Sequence, residues 1–205
     1  MAHEDPVPVE EPAEVEPEPQ PRTLDPETRA RRDAALQHVR KYGDPGLRGR
    51  ALEVEHFDEG LRREIERMAH LMGDALGIGL AATQLGVMHR VLVYRVEPDS
   101  SAAALVNPVL EWSSRDSETM EEGCLSLPGV NVDVERPVYV RVRALDETGG
   151  EQVIEASGLE ARVIQHEMDH LDGVLIIDRT SRDQRKRAMR TLREQAEEQA
   201  GVVAR

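Results

Sequence analysis

The sequence predicts an α+β fold: mainly antiparallel strands packed around one central helix, with a further helix at the C-terminus. Three observations lead there. Residues 58–76 repeat apolar side chains at helical spacing, through Leu61, Ile65, Met68 and Met72. The stretch 91–156 is broken into short β-branched runs by turn residues. Residues 157–173 then return to a helical pattern that mixes apolar residues with two histidines, a glutamate and an aspartate. Strands that follow one another through tight turns, with helices before and after, describe α+β rather than an alternating α/β chain.

In chain order, Asp25-Pro26-Glu27 is a helix start, with Asp25 as cap and Pro26 in the first turn. Gly43-Asp44-Pro45-Gly46 is a turn. The helix over 58–76 is expected to stop at Gly77. Val91–Val96 reads as a strand, and Ala104–Val106 and Val109–Trp112 as two shorter ones. Val138, Val140 and Val142 alternate with polar residues, and Glu147-Thr148-Gly149-Gly150 turns that strand into Gln152–Ala156 as a hairpin. Ser157 and Glu160 fit a capping box for the next helix, whose apolar side is supplied by Leu159, Val163, Met168 and Leu171 and which stops at Gly173.

The chain has 205 residues and a formal net charge of −14. Half of that charge lies in residues 1–21, which hold Glu4, Asp5, Glu10, Glu11, Glu14, Glu16 and Glu18 and no Lys or Arg. Six of the twelve prolines also lie in residues 1–22. Residues 1–24 are therefore expected to form a disordered extension, 25–181 a single domain, and 182–205 a basic helix and tail. The mildly acidic remainder argues against DNA as a partner. No apolar run is long enough for a membrane span. A single cysteine, Cys124, permits no internal disulfide and fits a reducing cytoplasm.

The chemistry centres on His166-Glu167-Met168-Asp169-His170. On a helix, His166 and His170 share a face and can grip one divalent metal, with Glu167 placed to move protons. A catalytic metal of this kind takes a third protein ligand. In the longer zinc-protease pattern it would fall on Ile176, which cannot ligate. Glu194 lies in the basic helix and is a poor candidate, and Cys124 within Glu-Glu-Gly-Cys-Leu-Ser-Leu-Pro-Gly, residues 121–129, is the other. Gly123 allows close approach, and Pro128-Gly129 is expected to turn the chain away. The Gly77-x-Gly79 pair follows a helix and lacks a third glycine, so it does not read as a nucleotide site. Asp169 and Asp172 are expected to be structural or solvated, and His38, His56, His70 and His89 to be ordinary.

Gly77-Ile78-Gly79-Leu80-Ala81-Ala82-Thr83-Gln84, then Glu122-Gly123-Cys124-Leu125-Ser126, then His166-Glu167-Met168-Asp169-His170, in that order, resemble the three signature segments of peptide deformylases. Supporting similarity runs from Tyr42 to Asp178. The resemblance implies a metal held by Cys124, His166 and His170: Fe²⁺ natively, with Zn²⁺, Ni²⁺ or Co²⁺ able to replace it. It implies removal of formate from N-formyl-methionyl nascent polypeptides in the bacterial cytoplasm. Glu167 would handle the protons, and the Gln84 amide and Leu125 N–H would stabilise developing negative oxygen. Ile78, Gly79, Glu122, Gly123 and Val163 would meet the substrate, with Ile78 and Val163 in a methionine pocket. Glu122 would also pair with Arg136 and steady the cysteine loop. Arg179, Arg182, Arg185, Lys186, Arg187, Arg190 and Arg193 form a basic run that suggests contact with the ribosome, as in some deformylases. Two rival readings remain: a zinc peptidase using Glu194, and an idle metal-binding or ribosome-associated protein.

Overall fold

The computed structural model describes residues 24–203; the predicted extension over 1–24 lies outside them but for Leu24. Helix α1 (Pro26–Leu36) opens as expected, with the Asp25 carboxylate accepting from Thr28 N–H at 3.0 Å. A 3₁₀ turn at Pro45–Arg48 follows, capped by Asp44. Helix α2 (Glu59–Asp74) is capped by Asp58 and buries Leu61, Ile65, Met68, Leu71 and Met72 along one side. It ends differently from the prediction. The left-handed residue is Leu76, φ 58°, while Gly77 keeps an ordinary φ. Gly77 is needed for space instead, since a Cβ there would lie 3.1 Å from Leu125 Cδ1.

Strand β1 (Gly79–Ala81) leads through a 3₁₀ turn, Ala82–Leu85, to β2 (Val91–Tyr94). The two short strands predicted over 104–112 are one strand, β3 (Ala103–Ser113), interrupted by register shifts between Val106 and Val109 and between Leu110 and Trp112. Pro108 lacks an N–H, and Asn107 adopts φ 51° while its amide bonds both Val54 N–H and C=O. Strands β4 (Ser117–Cys124) and β5 (Leu127–Pro137) form a hairpin that the sequence reading passed over. Its turn is Leu125-Ser126, and Pro128-Gly129, predicted to turn the chain, lie inside β5. Strands β6 (Tyr139–Leu145) and β7 (Glu151–Ser157) form the expected hairpin. Helix α3 (Gly158–Leu171), a short α4 (Ile176–Arg179) and α5 (Arg182–Val203) complete the chain.

The larger sheet has antiparallel order β1-β2-β3-β6-β7, and β4-β5 stands apart as a second sheet. Strand β2 is buried on both faces, which its unbroken apolar run requires. Leu92 and Tyr94 pack with α3 residues Val163, Ile164, Met168 and Leu171. Val91 and Val93 pack with α2. On its far side α3 meets the β4-β5 hairpin, so it is central, as predicted. The hairpin has one buried face, and on it Val130, Val132 and Val134 also pack with Ile176, Ile177, Ala188 and Leu192. The basic helix thus rests on β5 through two buried residues.

Both ends of α3 use glycine in the left-handed region, Gly158 at φ 54° and Gly173 at φ 72°. Ser157 sits at the cap, but its side chain makes no cap hydrogen bond. The predicted capping box is not formed, because Glu160 accepts from the Tyr94 hydroxyl at 2.9 Å instead. Leu159, in the first turn, stays 47% exposed rather than joining the apolar side. A Cβ on Gly158 would meet open space, whereas one on Gly173 would lie 2.6 Å from Arg48 O. Gly158→Ala is therefore expected to cost about 1 kcal/mol, the conformational penalty alone. Gly173→Ala should cost roughly 3 kcal/mol or more, because backbone must also move. Urea unfolding of both variants checks the order, and equal losses would refute the role assigned to close packing at Gly173.

Candidate metal centre

Two local geometries build the centre. On α3, His166 and His170 are one turn apart, with ring centroids 5.0 Å from each other. At the tip of the β4-β5 hairpin, the register slips between Gly123 and Cys124, and the cysteine is delivered to that helical face. Cys124 Sγ lies 3.2 Å from His170 Nε2. One donor atom each from Cys124, His166 and His170 falls within a 4.8 Å group. Two ligands of one tetrahedral ion with these bond lengths stand about 3.5 Å apart, so the cluster has the right span. Glu194, the rival third ligand, is 65% exposed on α5 and stands beside Arg190, outside the cluster.

The donor set also fits an ion chemically. Burial alone would raise the Cys124 thiol, but the charge of the His170 and His166 imidazoles outweighs it and holds the thiol well below its usual range. Burial would lower His166, and the Cys124 sulfur and Glu122 carboxylate more than reverse this. Thiolate and imidazolium stabilise each other here, and a cation can take the place of the proton. His166 Nδ1 lies 2.9 Å from Glu122 Oε2. A carboxylate only accepts, so Nδ1 carries the proton and Nε2 is left for a metal. His170 Nδ1 and Glu167 Oε2 are buried without a hydrogen-bond partner. Desolvation raises the Glu167 carboxyl above its usual range, with the nearby imidazoles opposing it. Gly79 makes room for that carboxylate, which a Cβ at this position would strike.

Glu122 ties these parts together. Its Oε1 accepts from Arg136 Nε at 2.7 Å and Arg162 Nη1 at 2.7 Å, and its Oε2 from Arg136 Nη2 at 2.9 Å and from His166. Arg136 also reaches Asp169 at 2.9 Å, and Arg179 holds the other Asp169 oxygen at 2.6 Å. With four donors, the Glu122 carboxylate has none of its capacity left for the substrate contact predicted at this residue. Asp169 is structural, as expected, and Asp172 pairs with Arg90 at 2.7 Å on the surface.

Ile78, Gly79, Gln84, Glu122, Gly123, Cys124, Leu125, Val163, His166 and Glu167 all line one cleft of about 960 Å³. His170 is 2% exposed and sits behind it. Gln84 is held by its own turn: Ala81 N–H donates to Oε1 at 2.9 Å, and Nε2 donates to Ser126 Oγ at 3.2 Å. Leu76 and Leu159 add an apolar rim, and Arg32 and Leu36 of α1, with Gln37 just past its end, form a wall. The sequence reading missed Arg162, Lys41 and this wall. Arg162 was findable, since it lies four residues before His166 and so shares the face of the helix that carries the histidines. Lys41 had no local signal.

The folded Glu122 carboxyl titrates at about 2 against an ordinary 4.5: burial would raise it, and His166 and Arg136 bring it down. A depressed carboxyl contributes stability above its unfolded pKa and loses it as pH falls through the folded one. Glu122→Gln is therefore expected to lose roughly 3 kcal/mol at pH 7, with the deficit shrinking between about pH 4.5 and pH 2. Denaturant titrations across that range check it; a pH-independent deficit would refute it.

The family model described as polypeptide deformylase matches residues 36–186. A peptide deformylase of Acidothermus cellulolyticus is 46% identical over 160 residues, which cover 78% of this chain and 87% of the relative. Peptide deformylase 1 of Corynebacterium glutamicum is 44% identical over 164 residues, covering 79% and 97%. The crystal structure of a Synechococcus elongatus peptide deformylase in complex with actinonin superposes with a TM-score of 0.72 at 43% identity, covering 75% of this chain and 85% of that one.

Proposed function

This chain belongs to the polypeptide deformylase family, and on that premise we propose how its residues remove the formyl group from the N-terminal methionine of new polypeptides. It is a metal-dependent hydrolase acting on a linear amide. The observation that carries the residue assignment is the meeting of Cys124, His166 and His170 within 4.8 Å, beside a buried glutamate with one unpartnered oxygen.

Cys124, His166 Nε2 and His170 would hold the ion. A divalent ion there would supply Lewis acidity, polarising the formyl carbonyl and making water a usable nucleophile at neutral pH. One thiolate and two imidazoles suit Fe²⁺, Zn²⁺, Ni²⁺ and Co²⁺ rather than Mg²⁺ or Ca²⁺, and Fe²⁺ is our choice for the native metal. Glu167, with its carboxyl raised by burial, takes the water proton and passes one to the leaving amine. Gln84 Nε2 donates to Ser126 Oγ at 3.2 Å and, over a longer 3.8 Å, to the Cys124 sulfur; the second, weaker bond is the one given up to the oxygen that becomes negative. Leu125 N–H, next to Cys124 at the hairpin tip, is the second donor. Ile78 and Val163 receive the methionine side chain, with Leu76 and Leu159 at the rim. The main chain of Gly79, Glu122 and Gly123 meets that of the substrate.

We further propose that residues 25–181 are the catalytic domain, working in the bacterial cytoplasm, with 1–24 and 182–205 as appendages. Among the described residues no helix is long and apolar enough to cross a membrane. Helix α5 turns Ala188 and Leu192 inward and leaves Arg182, Arg185, Lys186, Arg187, Arg190 and Arg193 exposed. This basic face suits ribosomal RNA.

Anaerobically purified protein is expected to release formate from formyl-Met-Ala-Ser and nothing from acetyl-Met-Ala-Ser. Glu167→Ala should lower kcat by about 10²–10⁴-fold, and air should inactivate the iron form through metal and Cys124 oxidation. Internal peptide cleavage, or full rate in the variant, would refute the assignment. Replacing four of the α5 arginines with glutamate should abolish co-sedimentation with ribosomes at low salt while leaving peptide deformylation intact; unchanged co-sedimentation would refute the docking role.

A further inference from the structure

Residues 40–42, between α1 and the first 3₁₀ turn, run beside both loops that face the reacting carbonyl. Arg40 N–H donates to Gln84 O at 2.7 Å, and Tyr42 N–H donates to Ser126 O at 2.9 Å. Between these two backbone bonds, the Lys41 ammonium donates to Leu125 O at 3.0 Å. The Leu125 carbonyl and the Ser126 N–H belong to one peptide group. That N–H lies 3.4 Å from Cys124 Sγ and donates to it. A cation therefore sits at one end of a single amide whose other end touches the sulfur. Lys41 is half-buried in the cleft wall, and among the described residues its only side-chain hydrogen bond is this one.

We propose that Lys41 is a positioning residue for the cysteine: acting through the Leu125–Ser126 peptide, it strengthens the hydrogen bond to the Cys124 sulfur and sets how much electron density that sulfur offers a bound ion. A donor on a carbonyl polarises the amide and makes its N–H a better donor in turn. A charged donor does this about twice as strongly as a neutral one. Hydrogen bonds to a ligand sulfur draw density from it and so tune the metal. The same contact fixes the plane of the peptide next to Leu125 N–H, one of the two donors assigned to the developing negative oxygen. Lys41 touches neither substrate nor ion in this scheme. The inference rests on Cys124 being a metal ligand, as proposed above.

The Co²⁺-loaded protein offers a direct readout, the near-ultraviolet charge-transfer band from thiolate to cobalt. Lys41→Met should move the band to longer wavelength, because a sulfur with a weaker hydrogen bond gives up an electron more readily. It should also lower kcat for formyl-Met-Ala-Ser by about tenfold with KM little changed. Lys41→Arg should restore most of both. If Lys41→Met does not fold, Lys41→Gln, which keeps a neutral donor, should give a smaller shift in the same direction. A band that stays in place in the folded variant overturns the proposal, even where kcat falls, since a plain brace would slow the reaction without touching the sulfur. Absence of the band from the unsubstituted protein would instead overturn Cys124 as a ligand.

Discussion

The centre depends on one buried carboxylate. Glu122 extends from β4 and is gripped by Arg136 of β5, Arg162 of α3 and His166 of α3. It therefore joins the two pieces of chain that must meet, the hairpin bearing the cysteine and the helix bearing the histidines. All three ionic side chains are nearly free of solvent, at 6% exposure or less for Glu122, Arg136 and Arg162. Burying such charges is costly unless each is met by partners in good geometry. Here two guanidiniums and an imidazole fill every acceptor site. The arrangement favours specificity over raw stability: few other placements of hairpin and helix would satisfy so many buried charges at once.

Around this joint the packing is ordinary. Helix α3 presents apolar residues to the large sheet and polar residues to the small one. That division explains a buried helix with so mixed a composition. The glutamate between the histidines has room only because residue 79 lacks a side chain. The cleft is walled by α1, the segment from Leu76 to Gly79, the hairpin and α3, so its shape comes from elements distant in sequence.

What the sequence revealed followed the range of each signal. The helical ends at Asp25, Asp58 and Gly173 were legible because capping is local. The two histidines were legible because one helical turn is a fixed distance. The cysteine's place beside them was reached through resemblance, since its approach depends on a slipped register that no local pattern encodes. The β4-β5 hairpin went unread because β4, Ser117–Cys124, is rich in glutamate and poor in β-branched residues. Its partner did carry a signal: Val130, Val132 and Val134 alternate with polar residues, and Arg136 continues the inward phase. An arginine at a core-facing strand position announces a buried partner, which proved to be Glu122. The capping box at Ser157 failed for the opposite reason, a tyrosine from a remote strand having claimed the glutamate.

The meeting of hairpin tip and helix has a consequence for how the chain holds together. Cys124 and His170 stand 46 residues apart. An ion shared between them would act as a removable cross-link, closing a loop that spans β5, β6, β7 and most of α3. On the chain-entropy scale used for disulfides, a closure of that length is worth about 4 kcal/mol. The cofactor of this enzyme would then double as a structural staple, and starving a cell of it would loosen the protein as well as silence it.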